Sequence, residues 1–230
     1  MDITKLLNDW PYDPKDSVRK VTDADGIEKI QVRVDQGPFQ GVLQMELDRK
    51  PDGKRPYNKA FALDHFKDTL ETHRKDRGSD EGFGLNSEAC EEIFDEGRTI
   101  YERYVFLLQV EEYERVVRDT ERNMELFRFV NRYAEEEEDR VNLERWWPYI
   151  IRIHAVARAT LATRDKDFDF ALNIAKEARK KIDNLEEIDF EEFHAEKNRS
   201  LKALEELIQG ILEKRPLSIS EKLKKDLTEA

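Results

Sequence analysis

Residues 143–185 read LERWWPYIIRIHAVARATLATRDKDFDFALNIAKEARKKIDNL, and their periodicity decides the fold. Leu143, Trp147, Ile150, Ala157 and Leu161 recur at helical spacing, with His154 in the same stripe. Trp146, Tyr149, Ile153 and Val156 form a second stripe beside it, so the apolar face is wide. After a short polar turn the pattern returns at Phe168, Ala171, Leu172, Ala175, Ala178, Ile182 and Leu185. The spacing predicts two helices folded into a hairpin, with small alanines where they touch, and the rest of the chain built against it.

Working outward, residues 87–133 are helical in pattern. Cys90, Ile93, Phe94, Gly97, Ile100, Tyr101, Tyr104 and Leu108 give one stripe, and Tyr113, Val116, Val117, Thr120, Met124 and Phe127 continue it. Ser87 is the expected N-cap, with Glu88, Glu91 and Glu92 complementing the dipole. A turn near Gln109–Glu112 is expected, because globular helices seldom run the whole length of such a segment. The acidic run Glu135–Asp139 separates this unit from the opening hairpin, and Pro148 fits only the first turn of the helix that follows. A further helix is expected from Phe190 to Glu213, ended by Arg215-Pro216. Ser218 and Glu221 form a capping box opening a last one.

Upstream, a helical turn or two over residues 3–9 should bury Leu6, Leu7 and Trp10. The segment VRKVT, the turn DADG and the alternating runs IEKIQVRV and VLQMEL predict a three-stranded meander. Ile30, Val32, Val34, Leu43, Met45 and Leu47 should face inward; Lys29, Gln31 and Arg33 should face out. A sheet this small needs helices against its apolar face. Residues 48–58 read as a loop, Phe61–Arg74 as a helix and residues 75–86 as a glycine-rich mobile loop. The predicted architecture is mainly α within the α+β class: an N-terminal β-meander over 1–58, antiparallel helical hairpins over 59–215, and the start of a C-terminal helix over 216–230.

Composition supports a folded helical protein. Of 230 residues, 40% are charged and 38% hydrophobic. The 12 phenylalanines, 7 tyrosines and 3 tryptophans give it the bulk for a core that disordered chains lack. The net charge of −12 leaves no basic footprint for nucleic acid over the main domain and disfavours anionic membranes. Nothing resembles a membrane span or a signal peptide, and the single Cys90 permits no internal disulfide, so a cytoplasmic protein is expected.

The segment ATLATRDKDFDFALNIAKEARKKI resembles a tetratricopeptide-type hairpin. Ala159, Ala171 and Ala178 stand at that repeat's small-residue positions and Phe168 at its turn aromatic. Lys166 replaces its turn glycine, while Ala155, Arg158 and Ala162 occupy its leading Trp, Leu and Tyr positions. The related segment at Tyr113 lies 55 residues upstream of Phe168, unlike the regular repeat, so the hairpins are TPR-like with elongated helices. The run EEIFDEGRTIYERYVFLLQ through ERNMELFRFVNRYAEEEEDRVNLERWWPYI is similar to bacterial proteins ending in a UvrB/UvrC-type motif. PLSISEKLKKDLTEA looks like the opening of that motif's hairpin. This resemblance implies a helical adaptor contacting a partner protein, and no activity.

Candidate chemistry is sparse. His154 reads as a packed, hydrogen-bonded histidine and Cys90 as a packed thiol. Glu191-x-x-His194 is half of a di-iron signature with no second half, so no metal is expected. His65, Asp68 and His73 read as surface residues of one helix, and GFG at 82–84 lacks the context of a nucleotide fingerprint. No cofactor or catalytic residue is expected. The tryptophan pair is different, because helical neighbours point about 100° apart and cannot share one seam. Arg145, Trp146, Trp147, Tyr149 and Arg152 are therefore the expected partner-binding face, of the residue types that anchor interfaces. The competing explanation is that both tryptophans are internal packing. The expected function is a non-catalytic protein–protein adaptor. The alternatives are a ligand-binding protein or enzyme with a cavity between sheet and helices, and a structural homodimer.

Overall fold

The computed structural model describes residues 3–216. It contains α1 (Thr4–Asp9), β1 (Val18–Thr22), β2 (Glu28–Gln36), β3 (Phe39–Glu46), α2 (Ala62–Arg77), α3 (Ser87–Gln109), α4 (Tyr113–Tyr133), α5 (Glu137–Asn142), α6 (Trp147–Arg164), α7 (Phe168–Asp183) and α8 (Glu191–Lys214). It is mainly α, with one small antiparallel sheet. The expected capping box at Ser218 and Glu221, and with it the C-terminal helix start, lies outside the described residues.

The strands pair in the order β1-β2-β3, with Val18 opposite Val32 and Ile30 opposite Met45. Their apolar face has no core of its own. Ile30, Val32, Met45 and Leu47 share a buried cluster with Ile100 and Leu107 of α3, Val116 of α4 and Ile153 of α6. Two expectations about the sheet faces are corrected. Leu43, expected inward, is 42% exposed although it stands opposite the buried Val32. Arg33, expected in solvent, is buried. The end of α1 covers it, and its guanidinium donates to the Trp10 and Gly41 carbonyls at 3.1 and 3.2 Å. Arg19 lies over the Trp10 ring, 4.0 Å from its centroid.

The helices divide as the periodicity predicts. The turn after Gln109 separates α3 from α4, with Glu111 in the left-handed region at φ 58°. Ser87 is not the cap of α3. Asn86 is, its Oδ1 accepting from the Ala89 amide at 2.9 Å, while the Ser87 hydroxyl donates to Asp139. A 3-10 turn over Glu144–Trp146 precedes α6, so Leu143 and Trp146 stand outside the helix that their spacing suggested. Pro148 lies in its first turn, where its missing N–H costs nothing. The helix α2 extends three residues past expectation, to Arg77, and ends on Gly78 at φ 77°. The following loop is tied down: Asp80 takes hydrogen bonds from Tyr133 and Arg132, and the Leu85 amide bonds the Tyr133 carbonyl.

The helix α7 packs between α6 and α8. Ala155, Ala159 and Ala162 of α6 and Ala171, Ala175 and Ala178 of α7 are all buried in one cluster with Leu204, Ile208 and Ile211 of α8. Side chains this short let two backbones approach closely. Among the described residues, no helix is long and apolar enough to cross a membrane.

Candidate functional site

A cavity of about 450 Å³ opens among α3, α4, α6, α8 and the turn before α6. It does not lie between sheet and helices, the place the alternative reading named, because that space is filled by the shared core. Three features of the sequence shape its walls. Gly97 lets α4 approach the middle of α3 closely, since an added Cβ would meet Leu126 Cδ1 at 3.2 Å. Pro148 starts α6 late, leaving Trp146 on a turn at the mouth. The helix α8 then crosses alongside and supplies Glu196 and Arg199.

The lining is mostly aromatic. Phe94, Tyr101, Tyr104, Phe127, Trp146 and Tyr149 contribute rings. Tyr101 meets Tyr104 and Tyr149 edge-to-face, at centroid distances of 5.4 and 5.7 Å. Burial pushes the Tyr104 and Tyr149 hydroxyls well above their ordinary range, so both stay protonated.

One polar wall residue is incompletely bonded. Asn123 is 2% exposed, and its Nδ2 donates to the Gly97 carbonyl at 2.9 Å. That bond fixes which way the amide points. Its Oδ1 is buried with no donor from the protein. Buried acceptors are nearly always satisfied, so this atom is an exception, packed between α3 and α4 beside Gly97.

Glu196, the carboxylate of the lining, is fully engaged. It receives Arg152 at 2.7 Å and the Ser200 hydroxyl at 3.2 Å on Oε1, and Arg199 at 2.8 Å on Oε2. Arg98 sits at the rim beside Asp95, its partner at 2.9 Å. Side chains of Arg98 and Arg199 are 67% and 71% exposed.

The five residues expected to form a partner face are divided. Trp146, 39% exposed, and Tyr149 line the cavity. Trp147 turns inward, edge-to-face on Phe127 at 5.3 Å. Arg152 is spent on Glu196 and Ser200 (Nε to Ser200 at 3.0 Å). Arg145 lies 5.7 Å from the Trp146 centroid and donates to Asn142. Asn123, Gly97 and the α8 residues were not singled out from sequence. The available signal was an amide at 123 in register with the apolar positions Val116, Thr120 and Phe127.

The remaining candidates stay apart from this site. His154, on α6, shares a hydrogen bond with the Thr120 hydroxyl at 2.9 Å, and burial lowers its pKa to about 4. Cys90 is fully buried, which raises its thiol to about 11 and keeps it protonated. His194 faces Glu187 at 3.3 Å. Asp68 pairs with Lys59, His65 stacks on Tyr57, and His73 bonds the Glu81 carbonyl. Among the described residues, no group of three histidine, cysteine or acidic side chains is placed to hold a metal.

Comparison with known proteins leaves the cavity to be read on its own geometry: no family model matches the chain, and no curated protein or solved structure does.

Proposed function

We propose that this chain is a non-catalytic binding protein whose site is the aromatic cavity among α3, α4, α6 and α8. The observation that carries this is a space of about 450 Å³ lined by six aromatic rings and few polar groups. Small-molecule sites have this composition and size: mainly apolar and aromatic lining with a few placed polar groups. Binding rather than turnover fits the titratable lining. The two tyrosines of raised pKa hold their protons and Glu196 is bonded three ways, so these groups are poorly suited to proton transfer near neutral pH.

The test is a titration with toluene, followed by tryptophan emission and thermal shift. Saturable binding that Leu143→Trp removes, by filling the space, supports the site. No saturable response, or a response unchanged in Leu143→Trp, sinks it.

The adaptor reading is favoured by one separate observation. Trp146 is exposed at the mouth with the Arg145 guanidinium near its face, a pair suited to a partner protein's side chain entering the cavity. On that reading Trp146→Ala abolishes capture of a partner that the wild type retains, and light scattering tests whether that partner is a second copy. The hairpin resemblance and the lone buried Cys90 fit a cytoplasmic adaptor.

A further inference from the structure

We infer that the outer edge of β3 is a dimer interface, pairing antiparallel with β3 of a second copy of this chain about a two-fold axis at Val42. The inference is independent of the cavity.

The two edges of the sheet are unlike. The edge strand β1 carries Arg19 and Lys20, and Lys20 is bonded to Glu112. Charges of this kind keep foreign strands away from an edge. The other edge has none. Residues 36–45, QGPFQGVLQM, are the longest stretch of the chain without a charged side chain, and they hold most of β3.

The backbone of that edge is open. Hydrogen-bonding direction alternates along an antiparallel strand. The Leu47 amide bonds the Glu28 carbonyl of β2 at 3.2 Å, and the Glu46 amide turns the other way, to the Pro51 carbonyl at 3.0 Å. The N–H and C=O groups of Gln44, Val42 and Gln40 therefore point outward as well, and among the described residues no strand meets them. Pro51 closes the edge at Glu46, and Pro38, which has no N–H, closes it at the hairpin turn. Val42 is the midpoint of the open stretch.

The side chains on both faces select a second copy over a foreign strand. Pairing about Val42 sets Gln40 opposite Gln44 of the second copy, and Gln44 opposite its Gln40. Gln44 Oε1 already accepts from Gln31 at 2.8 Å, so its Nε2 is the group left to donate. Gln40 Nε2 already donates to Asp35 at 3.1 Å, so its Oε1 is the group left to accept. Donor meets acceptor twice, which extends the ladder of Arg19, Gln31 and Gln44 across the axis. On the other face Gly41 stands opposite Leu43 of the second copy. The Phe39 ring lies over Gly41, where an added Cβ would meet Phe39 Cζ at 2.8 Å. Phe39 is 59% and Leu43 42% exposed, and the pairing brings each against the other across the axis. Two chains of net charge −12 repel, and here they meet with no like charges opposed.

The test is sedimentation equilibrium of the full chain over a concentration series. The wild type should dimerise. Val42→Pro removes an outward N–H that the fold itself does not use, and should raise the dissociation constant about ten-fold or more. Trp146→Ala should leave the dimer intact; its loss in that variant would seat the second copy at the cavity mouth and overturn the β3 assignment. Register is read by oxidising Val42→Cys with copper phenanthroline. Facing residues of a bonded antiparallel pair lie about 5.5 Å apart at Cα, within reach of a disulfide. The native Cys90 is fully buried. Val42→Cys should cross-link into a covalent dimer. Gln40→Cys, whose two copies stand well apart in this register, should not. Should Val42→Pro fail to fold, the two cysteine variants decide the matter. A wild type that is monomeric at every concentration, no cross-link at Val42→Cys, or equal cross-linking of both cysteine variants overturns the proposal.

Discussion

Arg103 and Asp119 grip each other in a two-bonded pair at the junction of three elements. Arg103 Nε reaches Asp119 Oδ2 at 2.7 Å and Nη2 reaches Oδ1 at 2.8 Å, with the two side chains 0% and 1% exposed. The third nitrogen donates to the Glu46 carbonyl at 2.9 Å and to the Arg49 carbonyl, so one guanidinium joins α3, α4 and the end of β3. Removing Asp119 leaves the buried Arg103 charge without a carboxylate, whereas Asp119 without Arg103 keeps Arg118 on Oδ1 at 2.9 and 3.0 Å. Asp119→Leu should cost about 3–5 kcal/mol in urea unfolding, and Arg103→Met with Asp119→Leu should recover much of it. A double variant as unstable as the single one would show that the pair's geometry, rather than the stranded charge, sets the cost.

That pair also shows what the sequence could not reveal. Arg103 lies in a helix whose next residue, Tyr104, was read correctly as core, yet nothing in a 40% charged chain marks one arginine out of 40 basic side chains as interior. Helical period predicts which apolar residues turn inward, so Ile93, Ile100, Val116, Ile150 and Ala171 were legible. It cannot predict which charge meets a partner 16 residues away on another helix. The cavity was hidden for the same reason: it needs Gly97, Asn123 and Glu196 from three helices at once. Only its rim, Trp146 and Tyr149, was visible, because two adjacent tryptophans conflict with a single packing seam.

His154 makes stability depend on pH. Its side chain is 14% exposed, and burial, reinforced by Arg158 and Lys181, lowers its pKa from 6.5 to about 4, opposed by a hydrogen bond with the Val117 backbone. Above pH 6.5 the imidazole is neutral in both states and contributes no slope. Between pH 6.5 and about 4 the unfolded chain takes a proton that the folded chain refuses, so stability falls as the pH is lowered, by up to about 3 kcal/mol. Below about 4 this contribution levels off. In denaturant unfolding from pH 7.5 to 4.5, His154→Gln should lose this part of the slope, and an unchanged slope would assign it to other groups.

Lys166 occupies the α6–α7 turn at φ 63°, the left-handed region that suits glycine. Its amide bonds the Thr163 carbonyl at 3.1 Å and the Asp167 amide bonds the Ala162 carbonyl at 2.9 Å, so the turn is closed by backbone and the lysine side chain is not needed for it. Asp167 then caps α7 through the Phe170 amide at 3.1 Å. Left-handed backbone costs an ordinary residue about 1–2 kcal/mol, partly offset by glycine's greater freedom when unfolded. Lys166→Gly should therefore raise stability by about 0.5–1 kcal/mol, seen as a rise of a few degrees in melting temperature. Lys166→Ala is the control and should give no gain. A loss in the glycine variant would mean that the lysine side chain makes a compensating contact.

The two adjacent tryptophans should separate cleanly on substitution. Trp147 is half-buried, edge-to-face on Phe127 with Arg128 5.5 Å from its ring centroid, and it packs on the cluster around Ile93 and Leu126. Removing it opens a hole in that cluster, so Trp147→Ala should cost about 2–4 kcal/mol. Trp146, 39% exposed at the cavity mouth, has less packing to lose, and Trp146→Ala should cost under about 1 kcal/mol. The order should reverse in binding, because Trp146 forms the rim through which a ring must pass and Trp147 does not line the cavity. Measured on the folded proteins, Trp146→Ala should weaken toluene binding several-fold while Trp147→Phe leaves it near the wild-type value. Equal stability costs for the two alanine variants would remove the structural distinction, and equal binding losses would move the site away from the mouth assigned to it.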